Sequence, residues 1–265
     1  MLGKLLKSKI SYLIFLIYFV VFSWWIFLQI HGVGTEAAYY FNSFYGVIAL
    51  FGAFYGFYVS KKYWGGWHSL IGRALICLSL GLLSQWIGLM IWCYFNIIAK
   101  VEAPYPSVAD VGYFGLVPFY TYAAYLLSKA SGVKFTLKSL EGKIMLLLIP
   151  LIALGVSYFL FLKNIGFDLA NPLKTFFDIA YPLGEIIPVS IALTTFVLSR
   201  KILSGTMRKR IFYLIFAFSF QFLTEYLFLY VTGINLLVNG GITDIFYASS
   251  YAIMFLGLVY FSSYD

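Results

Sequence analysis

The chain reads as an all-α, polytopic membrane helix bundle: eight transmembrane helices arranged as four parallel tandem helical hairpins within a single domain, residues 1–265. Three observations carry that expectation. Of the 265 residues, 62% are hydrophobic and only 11% are charged, whereas soluble domains carry roughly 25% charged residues. The apolar residues come in continuous stretches of about 20, long enough to cross a bilayer as helices and lacking the alternation of barrel strands. A polar pattern, Asx-x-x-Tyr, returns along the chain at near-constant spacing.

The stretches lie near residues 10–30, 41–60, 72–97, 108–128, 143–162, 175–199, 210–231 and 243–262. The first has the basic flank of a signal peptide, Lys4, Lys7 and Lys9. Its apolar length exceeds a typical signal core and no small-x-small site closes it, so it reads as a retained helix. The third holds Cys77 and Cys93. Sixteen helical residues separate them by about 24 Å, so they cannot pair within a monomer and read as core. Pro104 and Pro106 precede the fourth stretch. The sixth contains Pro182, Gly184 and Pro188, and a proline inside a helix removes a backbone bond and favours a kink there. Gly65-Gly66 and Gly240-Gly241 read as turns.

The net charge of +8 follows from topology and does not point to nucleic acid. Lys4, Lys7, Lys9, Lys61, Lys62, Arg73, Lys129, Lys134, Lys138, Lys143, Arg200, Lys201, Arg208, Lys209 and Arg210 fall on one side of the alternating helices. Only Lys100, Lys163 and Lys174 fall on the other. The positive-inside rule then puts both termini in the cytoplasm of a multi-pass cell-membrane protein. The lipid bilayer is its first partner, and the Arg200–Arg210 loop is either a topology determinant or a contact for anionic lipid or a cytoplasmic protein.

The repeated pattern has anchors at Asn42, Asp110, Asp178 and Asp244, each followed at +3 by a tyrosine: Tyr45, Tyr113, Tyr181 and Tyr247. The steps are 68, 68 and 66 residues. That period divides the chain into hairpin units of roughly 1–68, 69–140, 141–205 and 206–265, each with two crossings and hence all parallel. Ser107 with Asp110, and Thr175 with Asp178, have the spacing of a helix cap closed from both sides. Thr243 stands beside Asp244, so the cap there must differ. Capping leaves the tyrosines unexplained. At +3 a tyrosine shares the aspartate's helix face and can donate to a carboxylate. If the units surround an axis, Asp110, Asp178, Asp244 and their tyrosines line an outward-facing vestibule.

Two acids lie at membrane depth, where ionisable groups are costly. Glu185 is seven residues beyond Asp178 on the same face. Glu225 is midway along the seventh stretch, with Gln221 one turn away, and Gln85 sits in the third. No Lys or Arg occupies the middle of any stretch. Each acid therefore either ties helices through hydrogen bonds, or carries a proton, binds a cation or receives an amine or hydroxyl of a ligand. Aromatic residues reach 22%, which serves interfacial belts and packing and also suits a pocket for a flat apolar molecule.

The segment Pro104-Tyr105-Pro106-Ser107 with Asp110 and Tyr113, and the later Asp178, Tyr181 and Pro182, resemble the multi-helix membrane sensor region found N-terminal to bacterial diguanylate cyclases and some bacterial and archaeal histidine kinases. The resemblance implies a sensory or ligand-binding membrane module. The chain ends at Asp265 without a cyclase or kinase domain, so on this reading it acts through a membrane or cytoplasmic protein partner.

Several chemistries find no support. There is no mid-membrane Lys for a retinal Schiff base. His31 and His68 sit near opposite faces and cannot share a haem or metal. No catalytic triad, paired-Cys site or phosphate loop appears, and nothing names a cofactor. A divalent cation on Asp110, Asp178 and Asp244 would depend on packing. The leading expectation is thus a sensory or ligand-binding module for a small apolar or amphipathic molecule. Its candidate residues are Asp110, Tyr113, Asp178, Tyr181, Glu185, Gln221, Glu225, Asp244 and Tyr247. The alternatives are a proton- or cation-coupled transporter using Glu185 and Glu225, and a structural subunit of a membrane assembly.

Overall fold

Backbone groups within hydrocarbon must find partners inside their own segment, so long apolar stretches fold as helices. A computed structural model describes residues 8–133, 139–164, 170–200 and 203–262. Lys4, Lys7, Lys134, Lys138, Lys201 and Asp265 of the reading above lie outside the described residues. The long helices are α1 (Lys9–His31), α2 (Glu36–Tyr63), α3 (Leu70–Cys93), α4 (Val108–Ala130), α5 (Leu140–Leu160), α6 (Pro172–Ser199), α7 (Gly205–Gly233) and α8 (Ile242–Tyr260). No strand occurs among the described residues. Each helix falls on one of the apolar stretches. A π-helical turn, Tyr94–Ile98, extends α3.

Seven of the eight are long and apolar enough to cross a membrane, as a multi-pass membrane protein requires. The other is α4, which carries four tyrosines, two glycines, a proline and Asp110. Its polarity follows from its position between α3 and α6. α6 is helical throughout Pro172–Ser199 despite Pro182 and Pro188. Neighbouring helices bond to it at its middle: Tyr226 Oη of α7 donates to the Pro182 carbonyl at 3.1 Å and Ser157 Oγ of α5 at 3.5 Å.

The helices close a ring in the order α2, α3, α4, α6, α7, α8 and back to α2. α1 packs outside against α2 and α8, and α5 outside against α6. Their faces match these places. Among the described residues of α5 only Gly142 and Ser157 are buried, and of α1 only Ser11, Ile14, Val21 and Leu28. In chain order the ring divides into α1–α4 and α5–α8, which meet at the α4/α6 and α2/α8 seams, with α1 also against α8.

Small residues set the closest approaches, as in membrane bundles generally. At the α3/α4 crossing a Cβ added to Gly112 would lie 2.5 Å from the Gly88 nitrogen and 2.6 Å from its Cα. Ser84 Oγ donates to the Gly112 carbonyl at 2.6 Å beside it. At the opposite end of the bundle Arg210, buried, donates to the Tyr260 carbonyl at 3.2 Å and lies over the rings of Trp64, Tyr260 and Phe261. That end also carries Lys9, Lys61, Lys62, Arg73, Lys129, Lys143, Arg200, Arg208 and Lys209, since short connections make successive helices antiparallel.

Candidate functional site

The repeated Asx-x-x-Tyr pattern acts across helices. Ser107 caps α4: its Oγ accepts from Ala109 N at 3.2 Å, and Asp110 Oδ2 accepts from Ser107 N at 2.7 Å. The second Asp110 oxygen accepts from Tyr181 Oη of α6 at 2.8 Å. The other seam repeats this plan. Asp244 at the start of α8 accepts from the Gly240 N–H at 2.6 Å and from Tyr45 Oη of α2 at 3.5 Å. Asn42 Nδ2, with its amide turned to face acceptors, donates to Asp244 at 3.0 Å. So the tyrosines of α2 and α6 do not serve the anchors of their own helices. They reach the aspartates of α8 and α4 and clasp one half of the ring to the other.

The anchors accordingly fall into two kinds. Asp110 and Asp244 stand in the first turn of their helices, whereas Asn42 and Asp178 stand nearly two turns in. This corrects the expected Thr175/Asp178 cap. Pro172, with φ already helical and no N–H to orphan, starts α6 a turn earlier, behind Asn171. Asp178 instead pairs with Lys174 at 2.6 Å and accepts from Tyr105 Oη at 2.8 Å. It occupies the position that Asn42 holds in the other half. An aspartate turned toward Asp110 there would set two carboxylates face to face, and Lys174 and Tyr105 draw it away. Burial, and then the bond to Asp178, push the Tyr105 phenol up, which keeps it a neutral donor.

Deeper in the ring Glu225 is enclosed by donors. Oε1 accepts from Gln221 Nε2 at 2.7 Å and Gln85 Nε2 at 3.3 Å, and Oε2 accepts from Tyr247 Oη at 2.7 Å. Ser250 Oγ donates to Gln221 Oε1, and Tyr251 Oη to Gln85 Oε1 at 3.2 Å. The network joins α3, α7 and α8. Glu185 differs. Only 5% exposed, it forms no hydrogen bond or ion pair among the described residues, and it faces a cavity.

That cavity has a volume of about 730 Å³, within the range of small-molecule sites. It opens where α2, α4, α6 and α8 begin and descends to Glu185, Glu225 and Tyr251. Asp110, Tyr113, Asp178, Tyr181, Glu185, Glu225, Asp244 and Tyr247 of the expected site all line it. Gln221 does not. It is buried behind Glu225 and acts on the site only through that carboxyl. Asn42, Tyr45 and Tyr105, named above as parts of motifs but not as site residues, also line it, as do Trp92, Phe228 and Tyr251. Tyr251 was recoverable, being one helical turn beyond Tyr247 on the same face. The three aspartates do not converge: no group of three His, Cys, Asp or Glu suited to a metal ion occurs among the described residues. A shallower hollow of about 580 Å³ adjoins, sharing Trp92, Leu237 and Asn239 with the cavity and bringing Glu36, Lys100 and Glu102 beside it.

The clasps are unequal. Tyr181→Phe removes a short bond to a carboxylate, worth roughly 1.5–3 kcal/mol, while Tyr45→Phe removes a bond at 3.5 Å. Thermal unfolding in detergent should show the larger loss for Tyr181→Phe. The assigned strengths are wrong if the two variants melt alike.

No family model, curated protein or solved structure matches the chain. What fold and site define is a class: a helical membrane bundle around an acidic, tyrosine-rich cavity.

Proposed function

We propose that this chain is a multi-pass membrane ligand-binding module of sensory type, crossing the bilayer eight times with both termini in the cytoplasm and its cavity facing outward. The observation that carries the reading is Glu185: a buried carboxyl without a partner among the described residues, at the floor of a cavity large enough for a small organic molecule. Burying a polar group without a compensating bond is costly, and a bound molecule is one way of meeting that cost. The basic residues gathered at the opposite end support the orientation. The resemblance of Pro104–Tyr113 to sensor membrane regions supports the sensory role, with output through a protein partner at the cytoplasmic loops. The four tandem hairpins belong to this proposal as the units from which the two halves are built.

Native mass spectrometry on protein extracted in mild detergent from its own membranes tests the reading. A reproducible non-lipid added mass, lost in Glu185→Gln, is the expected result. A bare monomer that also binds nothing in a broad metabolite screen would overturn it.

One observation favours a second reading, a proton- or cation-coupled transporter. The ring divides into halves joined at two seams, and both seams carry their Asp–Tyr clasps at the same end. Rocking of repeats against each other is the usual basis of alternating access. Gradient-driven uptake into proteoliposomes, abolished in Glu185→Gln, would establish that reading over the first.

A further inference from the structure

We infer that the ligand of the cavity is an organic cation, an ammonium on an aromatic or aliphatic body, seated with its positive end against Glu185. The inference rests on the binding-site reading above and adds the ligand's chemical class.

The first ground is the distribution of charge. Five of the ten acidic residues of the chain, Asp110, Asp178, Glu185, Glu225 and Asp244, line this one cavity. Among the described lining residues the one cation is Lys163, at the open end. Low-dielectric walls around charge of one sign focus its field and concentrate the opposite charge.

The second ground is how these acids are engaged. Asp110 and Asp244 each accept from a backbone N–H and a tyrosine, Asp178 from Lys174 and Tyr105, and Glu225 from Gln85, Gln221 and Tyr247. Among the described residues, Glu185 is the one of the five whose acceptors are open to an arriving donor. An ammonium brings both the countercharge and the N–H groups that a carboxylate at this depth lacks.

The third ground is the wall above it. Tyr181 stands one turn from Glu185 toward the mouth, and Tyr113, Tyr247, Tyr251, Trp92 and Phe228 are among the aromatic residues that line the wall. Aromatic faces attract cations within about 6 Å and accept apolar bodies equally well. A bare metal ion fits poorly, because the volume is far larger than a coordination sphere and the other carboxylates are occupied.

Three indoles of nearly one size and different charge test this: tryptamine (cation), indole-3-ethanol (neutral) and indole-3-propionate (anion). Each is measured by equilibrium dialysis against the full chain in phosphatidylcholine nanodiscs, with empty nanodiscs as reference. Tryptamine should bind saturably and at least ten-fold more tightly than indole-3-ethanol, with indole-3-propionate weakest. Glu185→Gln should erase the preference for tryptamine while leaving indole-3-ethanol within two-fold. Glu185→Asp, which keeps the charge, should retain the preference and shows that any loss is not misfolding. Equal binding of tryptamine and indole-3-ethanol, or tighter binding of the anion, overturns the cation inference and leaves the binding site standing. Saturable binding of none of the three overturns the inference, and the mass-spectrometric result then decides the binding-site reading separately.

Discussion

Gly112→Leu should abolish a folded, monodisperse product. The Cβ alone would lie 2.5 Å from the backbone nitrogen of Gly88, and backbone cannot step aside as a flexible side chain can. α3 and α4 must part, breaking the Ser84–Gly112 bond at 2.6 Å and the packing of the most intimate helix pair in the ring. Overpacking a core costs about 1–3 kcal/mol and occasionally more, and a backbone clash belongs at the upper end. Gly155→Leu on α5 is the control. Nothing lies within 4 Å of its added Cβ, so size-exclusion profile and melting temperature should be those of the wild type. Similar behaviour of the two variants would show that α3 and α4 do not pack as described.

The second large effect separates two buried glutamates. Glu225→Leu leaves the amides of Gln85 and Gln221 and the hydroxyl of Tyr247 without their acceptor. Each stranded buried donor costs about 1–3 kcal/mol, so the variant should lose several kcal/mol and unfold well below the wild type. Glu185→Leu strands no donor among the described residues and removes an uncompensated carboxyl, so its melting temperature should hold or rise while ligand binding disappears. That pattern is expected when a group is kept for function at the expense of stability. If both variants destabilise equally, Glu185 is a structural tie and the cavity loses its main claim to a ligand.

The Asp–Tyr clasps explain why an otherwise apolar chain repeats so regular a polar pattern. In each half one anchor stands in the first turn of a helix, accepts a backbone N–H from just before it and offers a carboxylate, Asp110 or Asp244. The next even helix round the ring offers the tyrosine, Tyr181 or Tyr45. A single residue type thus braces the start of one helix and fastens the seam to its neighbour. The clasps also rim the cavity, so the contacts that join the halves stand where a ligand would enter.

The apolar stretches determined the helices and roughly where each lies, because a segment in hydrocarbon has no other way to satisfy its backbone. They likewise determined that the basic residues gather at one end, and the periodic spacing placed Asp110, Asp178, Asp244 and their tyrosines at the other. The depth of Glu185 and Glu225 followed from position within their helices. Three things waited on tertiary structure. Which tyrosine serves which aspartate depends on the order of helices round the ring, and local spacing suggested the wrong partners. Asp178 proved to lie inside α6 because Pro172 starts the helix early, and its partners Lys174 and Tyr105 come from its own helix and from a loop distant in sequence. Above all, sequence could not tell Glu185 from Glu225. Both are acids at membrane depth, and only packing surrounds one with donors from α3, α7 and α8 and leaves the other facing open space.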